Sequence, residues 1–167
     1  MRRTTILLAA LAAALSAAMV GAPAQAVPQV VGIADPDGRT FATASRSEAF
    51  VRMVPRENSA LQRWSVELDS TTVGTRVVNA GTGGCLGVSL LTPTPEGAPV
   101  TQERCRNEPN ELWRVARTST EPTVRFVHVR SGLCLTVEAV SPGIHAQLRL
   151  NRCANLRAQQ FRLVPGV

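Results

Sequence analysis

The spacing of four cysteines limits the possible folds of this chain more than any other feature. The cysteines are Cys85, Cys105, Cys134 and Cys153. The first two are 20 residues apart, the last two are 19 apart, and an aromatic residue follows each pair by eight positions. Four cysteines allow three disulfide connectivities. Because the pattern is duplicated, we expect two copies of one unit, each closed by its own disulfide.

A zinc site is the alternative use of four cysteines. Structural zinc sites usually contain cysteine or histidine pairs within about four residues of each other, and no two of these cysteines are so close. We therefore expect no metal and no cofactor, and two disulfides remain the preferred interpretation.

A third copy, without cysteines, precedes these two. Counting back 49 residues from Trp113 gives Trp64. The closing motifs are Gln62-Arg63-Trp64, Glu111-Leu112-Trp113 and Gln159-Gln160-Phe161. The opening motifs are Gly38-Arg39-Thr40-Phe41, Gly83-Gly84-Cys85-Leu86 and Gly132-Leu133-Cys134-Leu135. From opening glycine to closing aromatic residue the first copy is four residues shorter than the second, so we expect a shorter surface loop there.

Each copy contains four short runs rich in Val, Thr and Leu, separated by Gly, Pro, Ser and Asn, which is typical of β-strands. In the first copy the predicted strands are Val30–Ala34, Thr40–Ala44, Phe50–Val54 and Arg63–Leu68. In the second they are Thr75–Asn79, Cys85–Ser89, Val100–Arg104 and Leu112–Arg117. In the third they are Val124–Val129, Leu133–Val137, Ala146–Asn151 and Gln160–Val164. The copies span about residues 27–70, 71–118 and 119–167.

A single four-stranded unit cannot bury a core, whereas three units can close a barrel that has no exposed edges. We therefore predict an all-β fold in which Trp64, Trp113 and Phe161 occupy equivalent core positions. An aromatic residue at these places could instead form a ligand platform, but the threefold spacing favours the core.

Residues 1–26 are typical of a secretory signal peptide. Met1-Arg2-Arg3 is positively charged, the run from Ile6 to Val20 is apolar, and Ala24-Gln25-Ala26 suits a signal peptidase. A membrane anchor is the alternative, but this run is shorter than the ~20 residues of a span. We expect cleavage after Ala26 and a secreted, extracellular protein without a membrane partner. The pair Arg2-Arg3 does not indicate which export pathway the protein uses.

The charges of the chain do not suggest a nucleic-acid partner. All 18 basic residues are arginine, and they are interspersed with 12 acidic residues. A nucleic-acid-binding protein is expected to show a one-sided basic stripe with interleaved aromatic residues, and no such stripe is visible. We therefore expect a mixed-charge surface. We also expect a monomer.

The combination of Gly-Cys-Leu, a second cysteine about 20 residues later and an aromatic residue eight positions beyond it resembles the ricin-B-type β-trefoil repeat. The resemblance covers about residues 30–164. It implies twelve strands, of which six form a short barrel and six a cap of hairpins. It also implies one shallow sugar site on the surface of each copy.

The resemblance assigns three positions to each sugar site: an aspartate two residues after the first cysteine, an aromatic ring two before the second, and an asparagine three before the closing aromatic residue. In the second copy these positions hold Gly87, Glu103 and Asn110, and in the third Thr136, Asn151 and Ala158. In the first copy the register predicts Ala42, Val54 and Leu61. Only Asn110 keeps the residue that the resemblance requires.

The missing residues would have supplied most of the affinity. A millimolar sugar site is worth only about 4 kcal/mol, of which a charged acceptor contributes roughly 1.5–3 kcal/mol and ring stacking roughly 0.5–1.5 kcal/mol. We therefore expect the inherited galactose-type sites to be lost. The residual candidates are Gly87, Glu103 and Asn110 in the second copy, with Thr136 and Asn151 in the third. Asn110 can also be read as a turn residue, and Glu103 as an exposed strand residue.

Nothing in the sequence indicates catalysis. The two histidines, His128 and His145, lie beside no nucleophile motif such as Gly-x-Ser-x-Gly. Asp35 and Asp37 flank a proline before a glycine, which is typical of a turn. Two distant carboxylates could still meet in the fold as a glycosidase pair, but we expect no enzyme.

Two hypotheses for function follow. The first is a secreted binding module for an extracellular carbohydrate. Several weak sites would contact the same polysaccharide and together raise the affinity through avidity. The second is a module for a protein ligand, for example a protease inhibitor that uses the proline-rich segment 92–99. Three prolines in this segment lower the entropy cost of docking, although a stiff hairpin loop is the simpler interpretation. The missing aspartate and ring weaken the first hypothesis without strengthening the second.

Overall fold

The computed structural model describes residues 28–68, 73–88, 96–120, 122–139 and 145–167, and the predicted signal peptide lies outside them. The described strands of the first copy are β1 (Gln29–Ala34), β2 (Thr40–Thr43), β3 (Arg52–Pro55) and β4 (Arg63–Val66). Those of the second are β5 (Thr75–Arg76), β6 (Val78–Asn79), β7 (Cys85–Val88), β8 (Val100–Glu103) and β9 (Leu112–Arg117). Those of the third are β10 (Thr123–His128), β11 (Cys134–Glu138), β12 (Gln147–Asn151) and β13 (Phe161–Pro165).

The strand pairing forms a closed barrel with three hairpins at one end. Antiparallel pairing runs from β1 to β4, from β4 to β6, from β5 to β9, and then through β10 and β13 back to β1. The hairpins are β2–β3, β7–β8 and β11–β12. Residue pairs such as Gln147 with Arg52 and Phe50 with Thr101 join neighbouring hairpins into a cap. This is the predicted β-trefoil, in which the strand predicted over residues 75–79 is interrupted at Val77.

The core confirms the predicted threefold pattern. Trp64, Trp113 and Phe161 are fully buried and belong to one apolar cluster. The indole nitrogens of the two tryptophans donate hydrogen bonds of 2.8 Å to the carbonyl oxygens of Ala42 and Leu86. Each tryptophan therefore joins the last strand of its copy to the hairpin of the same copy.

Both predicted disulfides are present. Cys85 bonds to Cys105 and Cys134 bonds to Cys153. Each links the first strand of a hairpin to the segment that follows the second strand of that hairpin, so the second and third copies are each closed by a covalent bond.

The sequence register of the first copy was wrong by one residue at its hairpin. Phe41 pairs with Val54, as Cys85 pairs with Glu103 and Cys134 with Asn151. Phe41 therefore takes the place of the first cysteine, and Thr43, not Ala42, is equivalent to Gly87. The error arose because the motifs were aligned on their glycines. In the first copy the glycine with positive φ, Gly38, comes three residues after Asp35. In the other copies Gly83 and Gly132 come four residues after the equivalent residues, Asn79 and His128.

A short 3₁₀ turn precedes the last strand of every copy, a feature that the sequence analysis did not predict. These turns are Ala60–Gln62, Pro109–Glu111 and Arg157–Gln159. Each ends in a glutamine or glutamate with a buried side chain. Within the part of the chain that the structure describes, no helix is long and apolar enough to cross a bilayer.

The proline-rich segment is described only from Glu96 onward. There the amide of Gly97 donates to the carbonyl of Leu150 at 2.6 Å, and Arg149 donates to the carbonyl of Gly97 at 2.8 Å. The end of the segment is thus held against β12. The prolines at 93 and 95 lie outside the described residues.

Candidate functional site

The buried amide at the end of each 3₁₀ turn organises the surface where the resemblance places a sugar. In the first copy Gln62 accepts a hydrogen bond from the amide of Glu57 and donates to the Thr43 hydroxyl and the Pro55 carbonyl, at 2.8–3.0 Å. In the third copy Gln159 makes the same three contacts, with Thr136 in the place of Thr43. In both copies the aspartate position thus holds a threonine whose hydroxyl already serves the fold.

The second copy replaces this glutamine–threonine pair with Glu111 and Gly87. The Glu111 carboxylate accepts hydrogen bonds from the amides of Arg106 and Asn107 at 2.8–3.2 Å, but it has no amide group to donate. Gly87 has no hydroxyl that could accept a hydrogen bond, as Thr43 and Thr136 do. The exchange leaves a cleft of about 20 Å³ that is lined by both residues, which is room for about one water molecule.

Asn110, the only position that keeps the expected residue, faces the interior. Its side chain is 8% exposed, and its Nδ2 donates to the Val88 carbonyl at 2.9 Å. Its Oδ1 is buried and has no hydrogen-bond partner among the described residues. Asn110 therefore joins its turn to β7, and a sugar outside the cleft would meet neither polar atom.

The other two candidates of the second copy do not complete a sugar site. Glu103 is exposed at the end of β8, opposite Cys85, and no aromatic side chain is exposed in this copy. A Cβ atom on Gly87 would lie 3.0 Å from the carbonyl oxygen of Asn110. An aspartate at this position would therefore press on the turn unless the turn shifted by a few tenths of an ångström.

The candidates of the third copy also use their polar groups within the fold. Thr136 is buried and donates to the Cys134 carbonyl at 3.0 Å while it accepts from Gln159. Asn151 donates to Glu138 at 2.7 Å. Ala158 offers no polar side chain. In the third copy the polar side chains of Thr136 and Asn151 are thus bonded within the fold, whereas in the second copy Asn110 is bonded through Nδ2 alone and Glu103 is exposed.

The first copy presents a different surface, which sequence reasoning missed. A cavity of about 200 Å³ is lined by Thr43, Ala44, Ser45, Glu48, Phe50, Arg52 and Val54. Phe50 is 40% exposed. A signal was available, because Phe50, Arg52 and Val54 alternate with the buried Val51 and Met53. In a strand this alternation directs the first three side chains to the same outer face.

Leu61 lies in the 3₁₀ turn of the first copy, packed against the core. It therefore cannot supply the polar contact that the resemblance assigns to its position. Val54 lines the first-copy cavity but has no ring.

The two histidines lie in different environments. His128 is fully buried, and its Nδ1 lies 2.8 Å from the Ser131 hydroxyl. Burial lowers the pKa of His128, and the charge of Arg130 adds to this, while the backbone of Asn110 opposes it. His145 is exposed. The described residues also bring together no set of three side chains suited to a metal ion.

The sequence also matches the model of a known protein family. Residues 60–151 match the family described as ricin-type beta-trefoil lectin domain-like. The chain belongs to this family. The match runs from the 3₁₀ turn of the first copy to the end of β12, so this ricin-type domain includes both disulfide loops almost completely. No curated protein sequence matches the chain.

Solved structures show the same fold at low sequence identity. The designed threefold symmetric protein ThreeFoil aligns with a TM-score of 0.70 and 22% identity, over 81% of this chain and 97% of its own. The Macrolepiota procera ricin B-like lectin, solved in complex with lactose, aligns at 0.67 and 16% over 81% and 94%. The exo-β-1,3-galactanase 1,3Gal43A from Clostridium thermocellum aligns at 0.66 and 16%, over 83% of this chain and 30% of its own.

Proposed function

We propose that this ricin-type domain is a secreted, non-catalytic module that binds an extracellular carbohydrate without the galactose-type sites of its family. Membership of the ricin-type family carries the proposal. The cap of hairpins that the family resemblance implies is present, since β2–β3, β7–β8 and β11–β12 all pair. The loss of the inherited sites is supported by the hydrogen bonds that occupy Asn110, Thr136 and Asn151.

The proposed loss of the inherited sites has a physical basis in the second copy. A sugar hydroxyl that enters a protein site gives up water and must regain a hydrogen bond of similar strength. In the second copy the amide of Asn110 is already bonded to Val88, and the cleft holds no more than about one water molecule. A terminal galactose would therefore regain few of the hydrogen bonds that it loses on dehydration.

A binding screen tests the proposal. The full chain would be expressed with its leader, recovered from the culture medium, and applied to a glycan array and to insoluble polysaccharides. We expect binding to at least one carbohydrate, and we expect an excess of lactose not to displace it. Mass spectrometry of the recovered protein should show a chain that begins at Val27, which tests the predicted leader.

The screen has two informative failures. If the protein binds no carbohydrate, the proposed function is wrong. If lactose displaces it and Asn110→Ala abolishes the binding, the galactose-type site of the second copy is functional, and the proposed loss is wrong.

A further inference from the structure

Phe50 is the one solvent-exposed aromatic residue of this protein. The chain contains six aromatic residues, all within the described part, and the other five are at most 2% exposed. An exposed ring costs a soluble protein solvation free energy that a ligand can recover. When such a ring lies beside polar groups in a cavity, it can serve as a contact surface for a ligand.

The backbone around Phe50 is held in place before any ligand arrives. The Ser45 hydroxyl accepts hydrogen bonds from the amides of Ser47 and Glu48 at 3.1–3.2 Å. Gln102, on the neighbouring hairpin, donates from its amide to Ala49 at 2.7 Å and from its side chain to Ser45 at 2.6 Å. Because this backbone is already ordered, the loop loses little conformational entropy when a ligand binds, and this reduces the cost of binding even a weak ligand.

The polar groups beside the ring are a carboxylate and a guanidinium. Arg52 and Glu48 are joined by a contact of 2.5 Å between Nη2 and Oε2, and both side chains are partly exposed. The Arg52 Nε is buried and has no hydrogen-bond partner among the described residues, so a ligand can reach only the exposed parts of the guanidinium and of the Glu48 carboxylate. These donor and acceptor groups line the same cavity as the Phe50 ring.

This arrangement matches one class of ligand. A pyranose with equatorial hydroxyls exposes C–H groups on its faces and directs its hydroxyls outward around its edge. The C–H face can pack on Phe50, while two neighbouring hydroxyls can donate to Glu48 and accept from Arg52. The cavity of about 200 Å³ is smaller than the roughly 300–1,000 Å³ of drug-sized pockets, as expected for a single sugar ring.

We infer that the surface formed by Glu48, Phe50 and Arg52 binds one residue of a neutral, gluco-configured polysaccharide. The inference rests on the proposed function and names its site and its substrate class. It differs from the arrangement that the family resemblance implies. The ring lies four residues before Val54, on the same outer face, and Thr43 at the aspartate position is occupied by Gln62 and by the Phe41 carbonyl.

Affinity measurements on single variants test this inference. Binding of the full chain to soluble β-glucan oligosaccharides would be measured by titration calorimetry and by affinity electrophoresis in a glucan gel. Loss of the ring in Phe50→Ala should weaken binding about threefold to tenfold, and Phe50→Trp should preserve or tighten it. Glu48→Gln should weaken binding about fivefold or more.

The control is Leu156→Ala, which removes an apolar side chain that is 53% exposed in the third copy. It should bind as the wild type does. Unfolding temperatures of all variants would show that the fold is intact, and the Phe50→Trp variant keeps the test meaningful if Phe50→Ala is unstable.

The outcomes separate the inference from the proposed function. If the wild type binds a carbohydrate and both Phe50→Ala and Glu48→Gln bind equally well, the inference is wrong and the proposed function stands. If galactose-based or charged polysaccharides bind and β-glucans do not, the substrate class is wrong. If no carbohydrate binds, both are wrong.

Discussion

At the residue scale, one position shows how three different side chains solve the same structural problem. Asp35 directly follows β1, Asn79 ends β6 and His128 ends β10, and in each the backbone amide donates across the following turn. The Asp35 carboxylate accepts from the amides of Asp37, Arg39 and Thr40 and from the Thr40 hydroxyl. Asn79 accepts from the turn in a similar way, whereas the ring of His128 contacts Ser131. The turn therefore requires a hydrogen-bonding side chain but not a charge.

The pKa of Asp35 makes this turn sensitive to acid. Burial alone would raise the pKa, but the hydrogen bonds from Thr40, Arg39 and Asp37 outweigh it and lower the pKa below the ordinary 3.8. A carboxyl group whose pKa is lowered by folding stabilises the protein above its ordinary pKa. That stabilisation is lost as the pH falls through the lowered value.

Asp35→Asn should therefore reduce the unfolding temperature at pH 6, and the difference from the wild type should shrink below about pH 4. Circular dichroism melts between pH 2 and 6 would measure it. Thr40→Val, which removes the hydroxyl donor, should show a smaller pH dependence of the same sign. A difference that stays constant over the whole range would contradict this explanation.

At the scale of the elements, the first copy is closed without a disulfide. Phe41 and Arg56 stand where the other copies have cysteines. Phe41 packs in a small cluster with Ala34 and Val167, and the Arg56 guanidinium donates to the carbonyl of Gly166 at 3.0 Å. Contacts with the C-terminal segment thus replace the covalent bond.

This packing predicts a severe effect for a small change on β1. A Cβ atom at Gly32 would lie 2.5 Å from Val167 Cγ2 and 2.9 Å from Phe41 Cδ1. The backbone itself tolerates a side chain, because Arg76 and Arg125 hold the equivalent positions in the other copies. Gly32→Ala should lower the free energy of unfolding by about 1–3 kcal/mol, measured by urea denaturation.

Two further variants test the cause of that effect. Val30→Ala, at a position of the same strand that is 57% exposed, should change stability by no more than about 0.5 kcal/mol. Adding Val167→Gly should recover part of the loss caused by Gly32→Ala, since the nearest contact is removed. If Gly32→Ala costs the same with and without Val167, the C-terminal contact does not explain it.

At the scale of the whole molecule, the three copies share one barrel. Strand β13 pairs with β1 over four residue pairs, from Val31 with Pro165 to Ala34 with Arg162. This ladder joins the last copy to the first and closes the ring of strands. A copy that unfolded alone would leave both neighbouring copies with unpaired edges.

Loss of either disulfide should therefore weaken the whole molecule and not one copy. Replacing Cys85 and Cys105, or Cys134 and Cys153, with alanine should each cost about 3 kcal/mol, because the loops are of nearly equal length. Calorimetry should still show one cooperative transition, at a lower temperature. Two separate transitions would mean that the copies unfold independently.

The sequence by itself determined the repeat and the core. The recurrence of Trp64, Trp113 and Phe161 after the paired cysteines was enough to predict three copies, both disulfides and the buried positions. The copies, the disulfides and the buried positions can be predicted from spacing along the chain, because equivalent apolar positions are buried in the same way in each copy. The recurring pattern was also enough to place eleven of the twelve predicted strands as single strands, with one interrupted at Val77.

Only the tertiary structure decided which surface is available for a ligand. It shows that Thr43, not Ala42, is equivalent to the aspartate position in the first copy. It also shows that Asn110 bonds to Val88 and that Phe50 lines a surface cavity together with Glu48 and Arg52. The physical reason is that a polar group is available only if no other part of the fold bonds to it. Those partners come from distant segments, as Gln62 does for Thr43 and Gln102 for the loop that presents Phe50, and no local pattern in the sequence reveals them.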